Sequence, residues 1–258
     1  GLQRETCNAE CFEPMEKVLS ENSDTVAGVI VEPLVQGAAG MMMYPPIYLK
    51  KLQLTCESLG IHMIFDEIAV AFGRTGSLFV CGEHDLKPTF LCLSKGITSG
   101  YLPLSATLTT DEIYSAFYGE HQDLKMFVHS HSYSANPLAC AVANETLSML
   151  TENNFLETLK PKIATMQECG KQFEGIEGEF RQTGMIAALE LVGKNKERFA
   201  FEKRIGYQVY LEGLKRGVFM RPLGDVVYFI PPLIITAEEI EVMLNTARDC
   251  IDAVLKIN

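Results

Sequence analysis

Two charged residues follow two short apolar segments in the first half of the chain. Asp66 comes directly after IHMIF (61–65), and Lys95 follows FLCL (90–93) and one serine. A carboxylate and an amine that meet at one edge of a sheet can form an ion pair, and for the two residue types alone this interpretation is the stronger one. The alternative is chemistry, with the amine as nucleophile and base and the carboxylate as partner of a cationic group. The surrounding sequence has to decide between the two.

The elements that position these residues are predicted from the apolar pattern. A helical period begins at Pro46 and ends before Gly60, which suits a helix over 46–59. Short apolar segments predict buried strands at 26–32, 61–65, 90–93 and 104–108. Buried strands joined by helical crossovers indicate an α/β fold with a largely parallel sheet, in which ligands bind at the carboxyl ends of the strands. Asp66 and Lys95 both lie at such ends.

The second half of the chain has a different pattern. A long helical stretch over about 136–169, interrupted at Pro161, precedes one or two strands within 180–191. The remaining elements are a helix over about 199–216, a strand pair at 218–221 and 226–230, and a last helix that begins at a capping box of Thr236 and Glu239. We therefore predict one domain over residues 1–150 and a smaller α+β domain over 151–258.

The composition excludes some classes of partner. The chain has 258 residues, 47% of them hydrophobic, and a net charge of −11 at pH 7. This is enough apolar material for a sizeable core, while the acidic balance disfavours binding to nucleic acid or to an anionic membrane. No apolar run is long enough to span a bilayer and no signal-peptide pattern opens the chain, so we expect a cytoplasmic protein.

The cysteines and histidines do not indicate a disulfide framework or a metal site. Eight cysteines are scattered through a core-rich chain without a CxxC pair, which favours buried free thiols over disulfides or structural zinc. His129 and His131 stand in a serine-rich stretch without a carboxylate or cysteine at a useful spacing. We interpret both as loop residues and predict no metal.

The sequence around the two charged residues carries a family resemblance. Asp66 lies in IFDEIAVAFGRTG and Lys95 in CLSKGITSGYLPLSATLTT. Together with VEPLVQGAAGMMMYPPIYL, these stretches resemble the class III (ω-type) aminotransferases, which have the type I fold of pyridoxal-phosphate enzymes. The resemblance implies a mostly parallel large domain, incomplete here, and a smaller C-terminal α+β domain. It also implies that Lys95 carries pyridoxal 5′-phosphate and that Asp66 keeps the ring nitrogen of this cofactor protonated.

Further cofactor contacts are implied at two places. Ile68 would pack against the cofactor ring if the chain continues extended beyond Asp66, and ordinary core packing is an equally good interpretation. Ser130, His131 and Ser132 stand where the family usually has Gly-Pro-Thr. The resemblance implies that Ser132, with His131, binds the phosphate of the neighbouring subunit's cofactor, and that Ser130 lies beside the substrate. The resemblance therefore implies a homodimer with sites shared between the subunits. The alternative is that residues 130–132 belong to an exposed serine-rich loop.

The resemblance also extends to the substrate pocket. It implies that Arg221 binds a substrate carboxylate, which a planar guanidinium grips with two hydrogen bonds. Tyr228 is expected to line the same pocket. Arg74, in FGRTG, either stabilises a turn or adds a second positive group to the pocket, and the sequence leaves both possibilities open.

The implied reaction is a transamination between small molecules. NPLACAVAN and RPLGDVVYFIPPLII point to the family members that move the amino group of S-adenosylmethionine to 8-amino-7-oxononanoate, giving 7,8-diaminononanoate for biotin biosynthesis. One alternative is a class III enzyme for ornithine, acetylornithine, γ-aminobutyrate or another ω-amine, or the related aminomutase. A second is a non-catalytic fragment that keeps the dimer surface. The family has a phosphate-binding turn ahead of the first residue of this chain, so we expect the chain to be incomplete.

Overall fold

The computed structural model describes residues 6–129, 131–152, 154–176 and 178–257. The strands in this part of the chain are β1 (Gly28–Val31), β2 (Val35–Gln36), β3 (Met42–Met43), β4 (His62–Asp66), β5 (Phe90–Leu93), β6 (Ala106–Thr109), β7 (Gly178–Thr183), β8 (Ile186–Leu191), β9 (Arg221–Leu223) and β10 (Val226–Phe229). The α-helices are α1 (Glu13–Glu21), α2 (Pro46–Leu59), α3 (Val80–Glu83), α4 (Asp111–Ala116), α5 (Pro137–Thr151), α6 (Leu159–Gly170), α7 (Ile205–Lys215) and α8 (Ala237–Ile257).

The described residues form two compact units that are not contiguous in the sequence. The second unit contains Leu34–Met43, Gly73–Leu78 and the chain from Asn154 onward, and the first unit contains the remainder. The predicted ranges, 1–150 and 151–258, did not anticipate the two short segments. Their assignment depends on long-range hydrogen bonds, which the local sequence pattern does not contain.

These hydrogen bonds tie both short segments to the strand pair β7–β8. Arg181 of β7 donates to the carbonyl oxygens of Met41 and Gly40, at 2.7 and 2.6 Å. The backbone N–H of Met185, in the loop between β7 and β8, donates to the carbonyl oxygen of Arg74 at 2.9 Å. Buried backbone groups need such partners, so each segment packs where its carbonyl groups are bonded.

The first unit is built on a four-stranded sheet in the order β1-β4-β5-β6. Strands β1, β4 and β5 are parallel, and α2 lies in the connection from β1 to β4, which confirms the predicted α/β class. Strand β6 runs antiparallel to β5, so the sheet is only partly parallel. The chain between β5 and β6 contains a 3-10 turn over Lys95–Thr98, whereas a parallel return requires a crossover, usually a helix.

Two predicted features of the chain up to α6 differ in the structure. Residues 26–32 were expected to form a buried strand, but Ile30 of β1 is 64% exposed, because β1 is the end strand of the described sheet. The helical stretch over 136–169 does not break at Pro161. The break lies between α5 and α6, and Pro161 occupies the first turn of α6, where its missing N–H removes no intrahelical bond.

The second unit contains an antiparallel sheet in the order β7-β8-β10-β9, with α8 packed against α6 and α7. Its fully buried side chains include Leu189 of β8, Val209 of α7 and Leu244 of α8. The predicted helix over 199–216 is shorter in the structure, because Arg204 ahead of α7 has a left-handed backbone with φ 47°. The first of the paired strands begins at Arg221, later than the predicted residue 218.

The capping box that was predicted for the last helix is confirmed. The backbone N–H of Thr236 donates to Glu239 Oε2 at 2.9 Å, and the backbone N–H of Glu239 donates to Thr236 Oγ1 at 3.2 Å. These bonds satisfy two groups at the start of α8 that have no partner within the helix.

The cysteines are free, as predicted, but most of them are not buried. All eight carry free thiols, and Cys56 and Cys250 are the two that are buried. In the part of the chain that the structure describes, no helix is both long and apolar enough to cross a membrane, and no group of three or more His, Cys, Asp or Glu side chains is arranged to hold a metal ion.

Candidate active site

Asp66 ends β4 and starts a turn. Its register partner in the neighbouring parallel strand β5 is Cys92. Asp66 Oδ1 accepts a hydrogen bond from the backbone N–H of Ile68 at 3.1 Å. An aspartate that bonds the backbone two residues ahead produces a turn, so the premise that the chain continues extended to Ile68 is wrong. The contact of Ile68 with a cofactor ring stays a prediction.

Lys95 lies just beyond the carboxyl end of β5. The backbone at Lys95 is left-handed, with φ 44°, and the side chain is exposed. Because β4 and β5 are parallel neighbours, Asp66 and Lys95 come to the same edge of the sheet. Among the described residues, the Lys95 ammonium group has no ion pair, so the simple salt bridge with Asp66 is not formed.

The turn that carries Lys95 is held by its neighbours. Ser94 Oγ donates to the carbonyl oxygen of Leu104 at 2.7 Å. On the other side, Gly96 packs against Phe72, and a Cβ atom at Gly96 would lie 2.9 Å from Phe72 Cδ2 and 3.0 Å from Phe72 Cβ. The close approach requires glycine at this position. The turn after β4 and the turn after β5 therefore pack directly against each other.

Glu67 is a buried acid beside Asp66 that the sequence reasoning did not single out. Its side chain has no exposed surface. The carboxylate accepts hydrogen bonds from the backbone N–H of Val80 at 2.8 Å and of Cys81 at 2.9 Å, at the start of α3. Burial raises the pKa of Glu67, and these hydrogen bonds partly oppose the shift. Burial, together with the negative charge of Glu67, raises the pKa of the Cys81 thiol to about 11.

A sequence signal for Glu67 does exist. Two consecutive acids end an apolar strand, and successive side chains of a strand point to opposite faces. When one of the two acids points toward a ligand, the other points into the protein and needs hydrogen-bond donors there.

Arg74 lies in the second unit and bonds within it. Arg74 Nη1 donates to the carbonyl oxygen of Pro231 at 2.6 Å. The turn around it is closed by a hydrogen bond from Gly73 N–H to the carbonyl oxygen of Ser77 at 2.9 Å. Burial lowers the pKa of Arg74 to about 10. These contacts favour the turn-stabilising alternative; a role in a substrate pocket stays a prediction.

Arg221 and Tyr228 come together on the strand pair β9–β10. They are register partners, and the guanidinium carbon of Arg221 lies 5.8 Å from the centroid of the Tyr228 ring. Arg221 is exposed and has no ion pair with a carboxylate of the described residues. An exposed guanidinium beside an aromatic face is suited to binding a carboxylate from solution.

The segment before α5 carries the remaining predicted residues. His131 Nδ1 accepts a hydrogen bond from the backbone N–H of Tyr133 at 3.1 Å, and Ser132 is exposed in the same turn. Asn136 caps α5 by accepting from the backbone N–H groups of its first turn. Ser130 lies outside the described residues. This segment is an exposed turn, which leaves the predicted phosphate contact of Ser132 as a prediction.

The chain matches a known protein family over most of its length. The family described as Aminotransferase class-III matches residues 2–251. The chain belongs to the class III aminotransferases. The class III match extends over both compact units, so it includes the sheet edge with Asp66 and Lys95 and the strand pair with Arg221.

Curated class III relatives are similar over most of the chain. The adenosylmethionine-8-amino-7-oxononanoate aminotransferase of Geobacter sulfurreducens is 45% identical over 252 residues, which is 96% of this chain and 56% of that protein. The protein of the same name from Aquifex aeolicus is 42% identical over 94% of this chain and 54% of its own length. The chain thus spans about half the length of the curated relatives it matches.

Solved structures support the same fold. The adenosylmethionine-8-amino-7-oxononanoate aminotransferase from Methanocaldococcus jannaschii matches with a TM-score of 0.90 and 37% identity, over 95% of this chain and 57% of that chain. An amine transaminase from an uncultivated Pseudomonas species, solved in a PLP-bound form, matches with a TM-score of 0.89 and 29% identity, over 98% and 58%. The predicted fold of a pyridoxal-phosphate aminotransferase is confirmed.

Proposed function

We propose that this chain carries reacting residues of a pyridoxal-phosphate-dependent aminotransferase, with Lys95 as the attachment point of the cofactor and Asp66 as the partner of its ring nitrogen. The main support is that a carboxylate and an exposed lysine, which has no ion pair among the described residues, lie at the carboxyl edge of two adjacent parallel strands. This is the edge at which ligands bind in such sheets.

The Asp66 side chain fits the cofactor's ring nitrogen. Oδ1 is oriented by the N–H of Ile68, and Oδ2 has no hydrogen-bond partner among the described residues. A carboxylate held in this way favours a protonated nitrogen next to it. When bound, pyridoxal phosphate supplies an electron sink that stabilises negative charge on the substrate carbon, and a protonated ring nitrogen strengthens this effect.

The Lys95 side chain fits the roles of nucleophile and base. Its amine is at the end of a flexible four-carbon stem, so it would hold a cofactor bound at this edge of the sheet. The same amine would serve as the base that takes a proton from the substrate and gives it back. The exposed position and the absence of an ion pair with the described carboxylates leave Lys95 free for both steps.

The substrates that we propose are S-adenosylmethionine as amino donor and 8-amino-7-oxononanoate as acceptor, with 7,8-diaminononanoate as product. The names of the Geobacter and Aquifex relatives support this pair. Arg221 would bind a substrate carboxylate, supported by its exposed guanidinium, and Tyr228 would line the pocket beside it. Location in the cytoplasm, where we expect this biosynthetic step, stays a prediction.

A homodimer is part of the proposal. Between α4 and α5 the chain exposes a run of apolar side chains, with Leu124 and Val128 each 85% exposed and Met126 and Phe127 exposed by more than half. Exposed apolar runs of this kind mark protein interfaces. A second copy would cover this run, and Ser132, which follows the run in the sequence, would bind the phosphate of the neighbouring subunit's cofactor. Light scattering that finds only a monomer, in an active preparation, would contradict the role of Ser132.

Visible absorption tests the assignment of Lys95. We expect the purified protein to develop an absorption band with added pyridoxal phosphate and the Lys95→Ala variant to lack it. Lys87→Ala is the matched control, because Lys87 is also exposed but precedes the amino end of the same strand β5. The control should keep the band at full intensity.

Addition of the donor then separates the candidate reactions. Bleaching of the band by S-adenosylmethionine supports the proposed substrate pair. A band that bleaches with ornithine, acetylornithine, γ-aminobutyrate or another ω-amine, and not with S-adenosylmethionine, would assign a different class III reaction. A folded protein without a band that depends on Lys95 would contradict the proposed catalytic function and favour a non-catalytic chain.

A further inference from the structure

The first turn after Asp66 is organised by Glu67. Besides its carboxylate bonds to Val80 and Cys81, the backbone N–H of Glu67 donates to the carbonyl oxygen of Cys92 at 3.0 Å. This bond belongs to the Asp66–Cys92 pair, the last pair of the β4–β5 ladder. The carbonyl oxygen of Glu67 accepts from the N–H of Ala71 at 3.0 Å. Both the backbone and the side chain of Glu67 are therefore fully engaged.

A buried carboxylate with these bonds leaves its backbone little freedom. Burial of a charged group is costly unless hydrogen bonds compensate it, so displacement of the side chain would leave the two amide groups at the start of α3 unbonded. The turn with Asp66 and Ile68 is thus tied on one side to β5 and on the other side to α3. Within the described part of the chain, the Asp66 side chain accepts one hydrogen bond, from the N–H of Ile68, so its direction depends on this turn.

Packing of aromatic side chains links the start of α3 to the turn with Lys95. Phe79 immediately precedes Val80, and its ring contacts the ring of Phe72 with centroids 5.6 Å apart. Phe72 in turn packs on Gly96, the residue after Lys95. The start of α3, which Glu67 caps, therefore supports the packing of both turns at the sheet edge.

We propose that Glu67 is a positioning residue for Asp66: its buried carboxylate, bonded to the backbone of Val80 and Cys81, sets the turn in which Asp66 faces the cofactor's ring nitrogen. This inference rests on the proposed function. It assigns no contact between Glu67 and the cofactor or the substrate. A role confined to stability would make Glu67 equivalent to other buried polar side chains of the first unit.

The chain offers a matched control for such a purely structural role. Gln53 of α2 is 6% exposed, and its Oε1 accepts a hydrogen bond from the backbone N–H of Lys87 at 2.9 Å. Like Glu67, it is a buried acceptor for a backbone amide in the first unit. Its bond lies ahead of the amino end of β5, whereas Glu67 acts at the carboxyl end of β4.

The experiment follows the proton on the cofactor itself. Pyridoxal phosphate labelled at its ring nitrogen is bound to the purified protein, and its 15N chemical shift is measured as a function of pH. The samples are the wild type, Glu67→Ala, Glu67→Gln and Gln53→Ala. The Lys95-dependent absorption band and thermal melting are recorded on the same samples. When Asp66 is displaced, it pairs less well with the ring nitrogen. We therefore expect Glu67→Ala to lower the midpoint at which this nitrogen loses its proton by about one pH unit.

The variants separate the possible outcomes. Glu67→Gln keeps one acceptor oxygen, so we expect a smaller shift in the same direction, and this variant decides the question if Glu67→Ala does not fold. Gln53→Ala should lower the melting temperature without moving the midpoint. Midpoints equal to that of the wild type in both Glu67 variants, with the Lys95-dependent band intact, would overturn the positioning role and leave the proposed function standing. A wild-type protein without that band would overturn the proposed function, and the role of Glu67 with it.

Discussion

The two hairpin loops of the second unit offer a direct test of where the segment Gly73–Leu78 packs. Each loop has two residues and begins with a glycine in the left-handed region: Gly184 with φ 57° between β7 and β8, and Gly224 with φ 61° between β9 and β10. A Cβ atom at Gly184 would lie 2.3 Å from the backbone carbon of Thr75, whereas one at Gly224 would have nothing within 4 Å. Alanine is therefore strained at both positions, and it clashes with a neighbouring backbone only at Gly184.

The expected magnitudes follow from these contacts. Left-handed strain costs about 1 kcal/mol for either alanine. At Gly184 the overlap with Thr75 adds about 1–3 kcal/mol, because a backbone cannot swing aside as a flexible side chain does. At ~3 °C per kcal/mol, Gly184→Ala should lower the melting temperature by roughly 3–9 °C more than Gly224→Ala.

Thermal unfolding of the two variants gives the first comparison, and hydrogen exchange gives the second. The N–H of Met185 donates to the carbonyl oxygen of Arg74, so its exchange should accelerate in Gly184→Ala and stay slow in Gly224→Ala. Equal losses of melting temperature in both variants, together with unchanged exchange at Met185, would refute the packing of the 73–78 turn on the β7–β8 loop.

Three further predictions concern single charged residues. Arg181→Lys removes a guanidinium group, 11% exposed, that donates hydrogen bonds to two carbonyl groups and one carboxylate. This change should lower the free energy of unfolding by about 2–3 kcal/mol in urea titrations, whereas the more exposed control, Arg216→Lys, should lower it by well under half of that. Arg221→Gln should raise the KM for the carboxylate-bearing substrate roughly 10- to 100-fold and keep the Lys95-dependent band. An unchanged KM would show that Arg221 does not bind this carboxylate. Burial raises the pKa of Glu67, so the folded protein keeps the proton on this carboxyl group to a higher pH than the unfolded chain does. The stability that Glu67 contributes therefore falls as the pH rises from 4.5, the ordinary pKa, through the raised pKa of the folded state. The difference in free energy of unfolding between the wild type and Glu67→Gln should therefore shrink with pH over that window, and an increase would contradict the shift.

Local signals in the sequence were sufficient for several elements. The helix predicted over 46–59 is α2, because proline favours a first helical turn and the glycine after the helix adopts the left-handed conformation that ends it. The strand predicted at 90–93 is β5, and the capping box of the last helix forms as predicted. These features depend on neighbours in the chain, so a sequence pattern contains them.

The features that were missed depend on strand direction and on hydrogen bonds, and the apolar pattern records neither of these. Strand β6 is antiparallel to β5 because the connection lacks a crossover helix, and the apolar pattern of a strand does not record its direction. The chain turns at Ile68 because a side-chain oxygen of Asp66 competes for its N–H. The capping role of Glu67 required the start of α3 to come beside it.

The family can be predicted from the sequence, and the match over residues 2–251 confirms it. The pair that we propose as reacting residues can also be predicted, because the strand ends at Asp66 and Lys95 and the residues around them are local properties. Three features emerge when the chain is packed: Asp66 and Lys95 form no ion pair with each other, Glu67 is buried next to Asp66, and the segments 34–43 and 73–78 belong to the second unit. Burial and long-range hydrogen bonding are properties of the packed chain, since each polar group needs a partner wherever the fold provides one.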